Sequence, residues 1–181
     1  SMIYASLKTV ACWHHPLTPT CYLLFSVSGG LLASMWLLAV AGQSFISEIY
    51  HLTYCLLILA WVTKVLWWRN LDKKSPESTL ESATGLGNFG KVRPLMPPHT
   101  SENYLQTEMG FVVARRHALK LRVMSMLAGG LIPLLVFISF PSSSVLLGLA
   151  LIIHFVGVFI ERWLFFAEAK HVVSLYYGEA Q

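Results

Sequence analysis

The chain has 181 residues, of which 55% are hydrophobic and 12% charged, with a formal net charge of +4. A soluble domain carries roughly 25% charged residues to keep its surface wet, and a single water-soluble core of this size would leave large apolar patches exposed. The composition excludes an ordinary soluble domain and makes the bilayer the simpler solvent; the basic balance would suit nucleic acid, but no nucleic-acid partner is expected, because the basic residues flank the apolar segments.

Residues 1–19 lack the charged, apolar, then small-residue order of a secretory signal and read as a cytoplasmic or interfacial lead-in. Within them, His14-His15-Pro16 suits a helix cap better than a metal site, which needs a third or fourth ligand. No metal is expected. Thr20 to Gly42 is the first apolar run long enough to cross the hydrocarbon, and Ser26, Gly30 and Ser34, spaced by four, form a small-residue stripe suited to helix contacts. Ile49 to Trp68 is the second, with Lys64 near its end, where an ammonium can snorkel out. The connector Gln43 to Glu48 is short, so residues 20–68 form an antiparallel hairpin. Cys12, Cys21 and Cys55 lack CxxC spacing and read as small apolar fillers, not as a disulfide framework or cluster ligands.

Residues 69–122 form a basic polar loop in which Pro76, Pro94, Pro97 and Pro98 impose extended or turn-like backbone. Gly85, Gly87 and Gly90 spell GxGxxG, but a dinucleotide site needs a preceding strand and a following helix. The flanks are rich in Ser and Thr on one side and Pro on the other, so a flexible loop is expected. Glu102 to Arg122 has more helical character and can lie along the interface. The third span, Val123 to Phe140, carries Gly129-Gly130 as a close-approach site and Pro133 as an expected kink. The fourth runs from Val145 to Phe166, and the short Pro141 to Ser144 connector makes residues 123–166 a second antiparallel hairpin, followed by a cytoplasmic tail, 167–181. The expected fold is all-α, a polytopic membrane protein with about four transmembrane helices in two hairpins.

All 13 Lys and Arg residues fall on one side of such a topology, and the two short loops carry none. The positive-inside rule then places both termini and the long loop in the cytoplasm. Trp13, Trp67, Trp68 and Trp163 cluster at the same boundary, as an aromatic belt would.

Ionisable groups within a span are costly and default to a functional reading. His154, Glu161 and Glu168 are spaced by seven, with His171 three later, so all four stay near one helical stripe. Imidazoles and desolvated carboxyls on one stripe can relay protons. Arg162, about 100° around the helix from Glu161, can anchor at the headgroups or donate to a carbonyl oxygen. The plainer alternatives stand beside this: Glu161 to His171 as the wet end of a helix, and His154 as a hydrogen-bonded structural residue. Glu48 and His51 lie at the opposite face. His51 and His154 differ in depth by roughly 10 Å at 1.5 Å per residue, so a haem ligated by the pair is not expected.

Ile3-Tyr4-Ala5-Ser6-Leu7-Lys8, Trp13-His14-His15-Pro16-Leu17-Thr18-Pro19, Ala83-Thr84-Gly85-Leu86-Gly87, Pro97-Pro98-His99-Thr100 and Glu161-Arg162-Trp163-Leu164-Phe165-Phe166-Ala167-Glu168-Ala169 together resemble the membrane anchor subunit family of dimethyl sulfoxide reductase-type molybdoenzymes, which includes the anchors of sulfite dehydrogenases. The resemblance covers nearly the whole chain, and the Glu-Arg-Trp segment is its most specific part. It implies a bacterial inner-membrane anchor that is not catalytic by itself. Such an anchor holds a four-cluster ferredoxin-like iron–sulfur subunit and a molybdopterin catalytic subunit, with membrane lipid as its other partner. It also implies an exchangeable menaquinone or ubiquinone and no haem, the clusters and molybdopterin residing in the partner subunits. Members of the family have about twice as many spans, and this chain, which begins Ser-Met as a fragment would, matches the C-terminal half. Combined with the physical reading, His154, Glu161, Arg162, Glu168 and His171 are expected to bind the quinone and handle protons. Lys73, Lys74, Lys91, Arg93, Arg115 and Arg116 are expected to dock the partner. The competing class is a non-redox small transporter or assembly factor, for which paired broken helices would be the mark.

Overall fold

The computed structural model describes residues 1–43, 47–73, 79–93, 95–96 and 111–169. Among these residues the secondary structure is helical, with no strand. In chain order the elements are α1 (Met2–Ser6), α2 (Leu17–Val40), α3 (Ser47–Lys73), α4 (Leu80–Thr84), a 3-10 turn (Gly87–Phe89), α5 (Val112–Arg116), α6 (Ala118–Ser139) and α7 (Ser144–Ala167). Four of them, α2, α3, α6 and α7, have 22 to 27 residues and are apolar enough to cross a membrane. At 1.5 Å per residue they measure about 33–40 Å, enough for a hydrocarbon core of about 30 Å. The helices overrun the expected spans; α3 continues to Lys73 and α6 begins at Ala118.

Long-range hydrogen bonds set the helix directions. The Trp67 indole, late in α3, donates to Thr18 Oγ1 at the start of α2 (3.1 Å), and Tyr50, early in α3, donates to the Phe137 carbonyl near the end of α6 (3.0 Å). Arg122, early in α6, donates to Glu168 just past α7 (2.8 Å). One end of the bundle therefore gathers the start of α2, the end of α3, the start of α6 and the end of α7. The N-terminal segment folds back over that end, where the Trp13 indole donates to the Phe165 carbonyl (3.0 Å). His15 Nδ1 accepts the Leu17 amide, the first of α2 (3.2 Å), while His14 Nδ1 donates to the Ala5 carbonyl (2.7 Å) and the N-cap position itself is Pro16.

Pro133 acts four residues upstream of itself. A proline has no N–H to give the carbonyl at i−4 and its ring crowds that carbonyl. Here the i−4 residue is Gly129, and residues Leu127–Leu131 widen into a π-helical turn. The released Gly129 carbonyl is met from two other helices, by Trp61 Nε1 of α3 (3.0 Å) and His154 Nδ1 of α7 (2.5 Å). Glycine permits the approach. A Cβ on Gly157 would run into the Gly129 backbone, and one on Gly129 would run into the Trp61 ring. The expected close-approach site at Gly129-Gly130 is thus the crossing point of α3, α6 and α7, with Gly157 as its counterpart on α7.

Three expectations differ from the structure. Ser26, Gly30 and Ser34 face outward, with nothing within 4 Å of a Cβ on Gly30, and α2 instead packs through Ser28, Gly29 and Leu32. The packing face has small residues of its own, Ser28 and Gly29, and Gly29 is where the His154 ring approaches α2. Trp67 and Trp68 are buried inside the bundle and not turned to a lipid belt, whereas Trp163 is 45% exposed. Cys21 and Cys12 are buried as expected, but Cys55 is exposed. The glycine-rich segment has local structure of its own: Thr79 and Ser82 form a capping box on α4, and Gly85 ends it in the left-handed region (φ 69°). Glu81 Oε1 then accepts the Val92 amide (3.2 Å) and closes the segment.

Candidate functional site

The site forms near the end of the bundle where α3 finishes and α7 finishes. Lys64 sits two-thirds of the way along α3 and is 1% exposed, so its ammonium does not snorkel. It reaches across to α7 and pairs with Glu161 Oε1 at 2.5 Å; the Glu161 side chain is fully buried. Arg162 folds back on its neighbour, with Nε on Glu161 Oε2 (2.5 Å) and Nη2 on Oε1 (2.7 Å). Adjacent residues on a helix do not normally face each other. The length of the arginine allows it here, because both cations converge on one carboxylate.

Aromatic rings complete the solvation that water would otherwise provide. Lys64 Nζ lies 3.6 Å from the Trp67 ring centroid and 5.6 Å from that of Phe165. The Arg162 guanidinium lies 4.1 Å from Tyr22 and 5.0 Å from Phe165. Phe165 is shared between the two cations and is itself stacked on Trp13 (5.3 Å). Ring faces attract cations most when water is excluded. Two cations against one carboxylate leave the cluster with one net positive charge. Arg162 Nη1 is buried and has no hydrogen-bond partner among the described residues, so the cluster retains one uncommitted donor nitrogen.

A second set of charges closes the helix ends. Arg122 donates to both Asp72 oxygens (2.7 and 2.9 Å) and to Glu168 Oε1 (2.8 Å), linking α3, α6 and the end of α7. Burial raises the Glu168 carboxyl above its ordinary pKa, outweighing the opposite pull of Arg122. Glu168 Oε2 is buried without a partner among the described residues. Arg115 donates to the carbonyls of Ala167 (2.9 Å) and Ala169 (3.1 Å), satisfying backbone groups that the end of α7 leaves open.

The structure thus brings Glu161 and Arg162 together and adds Lys64. His154 and Glu161 lie on α7 and Glu168 just past its end, and each is held by a different partner: the Gly129 carbonyl, Lys64 and Arg122. Among the described residues no hydrogen bond joins the three to one another. His154 is buried and donates through Nδ1 to the carbonyl that Pro133 releases. His51 is exposed at the far end of the bundle and bonded to Tyr54. Of the expected docking residues, Lys73, Lys91, Arg93 and Arg116 are exposed, and Arg115 is partly buried by its capping role. Lys74 and His171 lie outside the described residues. Lys64 is the residue that sequence reasoning placed wrongly. The available signal was an opposite charge on another span at a similar distance from the same end.

A model of the family described as "DMSO reductase anchor subunit (DmsC)" matches residues 1–178. The chain is also 28% identical over 181 residues to a sulfite dehydrogenase subunit of Allochromatium vinosum, covering 98% of this chain and 55% of that protein. It thus spans about half the length of the curated relative it matches. No solved structure matches.

Proposed function

The chain belongs to the DMSO reductase anchor subunit family, and from that premise we propose that it holds an oxidoreductase in the bacterial cytoplasmic membrane and passes electrons between the quinone pool and an iron–sulfur partner subunit. The observation that carries the quinone part is the buried Lys64–Glu161–Arg162 cluster with its unpaired Arg162 Nη1. A charged cluster inside a span is retained for function more often than for stability. A pre-placed donor in a water-poor site is what a carbonyl oxygen needs. The donor set therefore suits a quinone head. A bound menaquinone or ubiquinone would supply the two-electron, two-proton chemistry.

In this reading Arg162 Nη1 donates to a quinone oxygen, and Glu161 fixes the guanidinium in place while Lys64 balances the carboxylate. Glu168, with one free buried oxygen at the bundle end, handles a proton between the site and the aqueous face. The docking surface is the cytoplasmic side, where Lys73 ends α3, Arg116 precedes α6, and Lys91 and Arg93 lie in the segment joining them. The partners are a ferredoxin-like iron–sulfur subunit and a molybdopterin catalytic subunit; membership of an oxidoreductase anchor family and likeness to a sulfite dehydrogenase subunit support this assignment.

Arg162→Leu tests the assignment, because it removes the donor and leaves the Lys64–Glu161 pair intact. In the assembled complex, quinone-linked turnover should fall about a hundredfold. Turnover with a soluble dye and co-purification of the partner subunits should stay unchanged. Full quinone-linked activity in this variant would refute the site. Charge reversal at Lys91, Arg93 and Arg116 together should release the partner subunits; their retention would refute the docking surface.

A further inference from the structure

The α3–α6 contact is narrow. The two helices meet where Trp61 lies against Gly129 and Gly130, and beyond that point they leave an open groove of about 450 Å³. α3 contributes Ile58, Val62 and Leu66 to it, and α6 contributes Leu127, Leu131 and Leu134. The Trp61 indole also lines it, but its N–H is committed to the Gly129 carbonyl. The walls thus hold a hydrocarbon and offer no hydrogen bond along their length. The only charged residue lining the groove, among the described residues, is Arg69, at the end of the bundle that carries the basic residues.

We propose that this groove binds one anionic phospholipid, with an acyl chain between α3 and α6 and the phosphate on Arg69. Three observations support it. On α3 the lining runs from Leu57 to Arg69, which at 1.5 Å per residue is about 18 Å, close to one leaflet of a hydrocarbon core of about 30 Å. Arg69 is exposed and has no ion pair or hydrogen bond among the described residues, and Lys73 stands exposed one turn further along the same helix. Asp72, which lies between them in sequence, has both carboxylate oxygens on Arg122 and so does not neutralise Arg69. A cationic end on an apolar slot of leaflet length selects a lipid with a negative headgroup, the kind enriched at the cytoplasmic surface. Arg69 is the groove's one charged donor among the described residues, and neither Lys64, Glu161 nor Arg162 lines it, so this site is separate from the Arg162 cluster and does not depend on it.

The test uses the full chain, delipidated in detergent and offered equal amounts of phosphatidylglycerol, phosphatidylcholine of the same acyl composition, and ubiquinone. Native mass spectrometry then reads what each chain retains. One phosphatidylglycerol should stay bound in preference to the other two. Arg69→Gln should lower its retention about fivefold, the worth of one cation at a membrane surface. Val62→Trp, at a half-exposed groove position, should fill the slot and lower retention without unfolding, which circular dichroism checks. Equal retention of the two phospholipids, indifference to both substitutions, or preferential retention of ubiquinone would each overturn the proposal.

Discussion

Replacing Glu161 by Gln should be far more damaging than replacing Lys64 by Met, although the two residues form one ion pair. In Glu161→Gln two cations lose their carboxylate. Arg162, 20% exposed, has a path to the headgroups, whereas Lys64, 1% exposed, has none. An ion stranded in the interior costs about 3–5 kcal/mol. In Lys64→Met the carboxylate keeps both of its oxygens on Arg162, so the loss is that of one charged hydrogen bond, about 1.5–3 kcal/mol. The double variant Lys64→Met/Glu161→Gln removes the buried charge that had no exit and should come out more stable than Glu161→Gln alone. The assay is unfolding in mixed micelles titrated with sodium dodecyl sulfate, followed by helicity and by fluorescence of the six tryptophans. Additive losses in the double variant, or equal losses in the two single ones, would refute a buried pair with only one escapable cation.

Gly157→Ala should cost at least about 3 kcal/mol, beyond the usual range for overpacking, because its methyl would enter the Gly129 backbone. Gly30→Ala, with open space around it, should be neutral or stabilise by up to about 1 kcal/mol; a large loss there would restore α2's outward stripe as an internal contact, and the same micelle titration measures both. Arg122→Ala should make stability more sensitive to pH. The folded Glu168 carboxyl is raised above its ordinary value, so its contribution is complete below the ordinary carboxyl range and is lost as pH rises through the raised value. Without Arg122 that loss deepens. The variant should therefore differ more from the parent at pH 8 than at pH 5, by about 1–3 kcal/mol; a difference independent of pH would count against the pairing.

Four spans were readable because long apolar runs have few alternatives in so uncharged a chain, and the short connectors left antiparallel hairpins as the natural arrangement. Glu161 and Arg162 were readable for the same reason: two adjacent charges followed by Trp-Leu-Phe-Phe cannot easily be solvent-facing. What remained hidden depended on rotation and register between helices. A lysine nine residues before a helix end can snorkel or be buried, and only the position of α7 decides. The same holds for the small residues of α2, where Gly29 packs and Gly30 does not. Pro133 announced a break in α6, but the break takes effect at Gly129, and the donors that make it tolerable, Trp61 and His154, come from elsewhere in the chain. The sequence left His154 with two readings, relay member or hydrogen-bonded structural residue, because its partner lies on another helix.

The burial of Lys64 also has a meaning in time. The ribosome makes Lys64 almost a hundred residues before Glu161. Until α7 is in place, α3 carries an uncompensated ammonium, at a cost of up to about 2.5–3.5 kcal/mol in the hydrocarbon. Its lower-energy position is shallow, with that ammonium still among the lipid headgroups. The carboxylate that α7 brings removes that cost, so membrane entry of α3 and its final register can be separate events. The later hairpin then serves as the template that seats the earlier one.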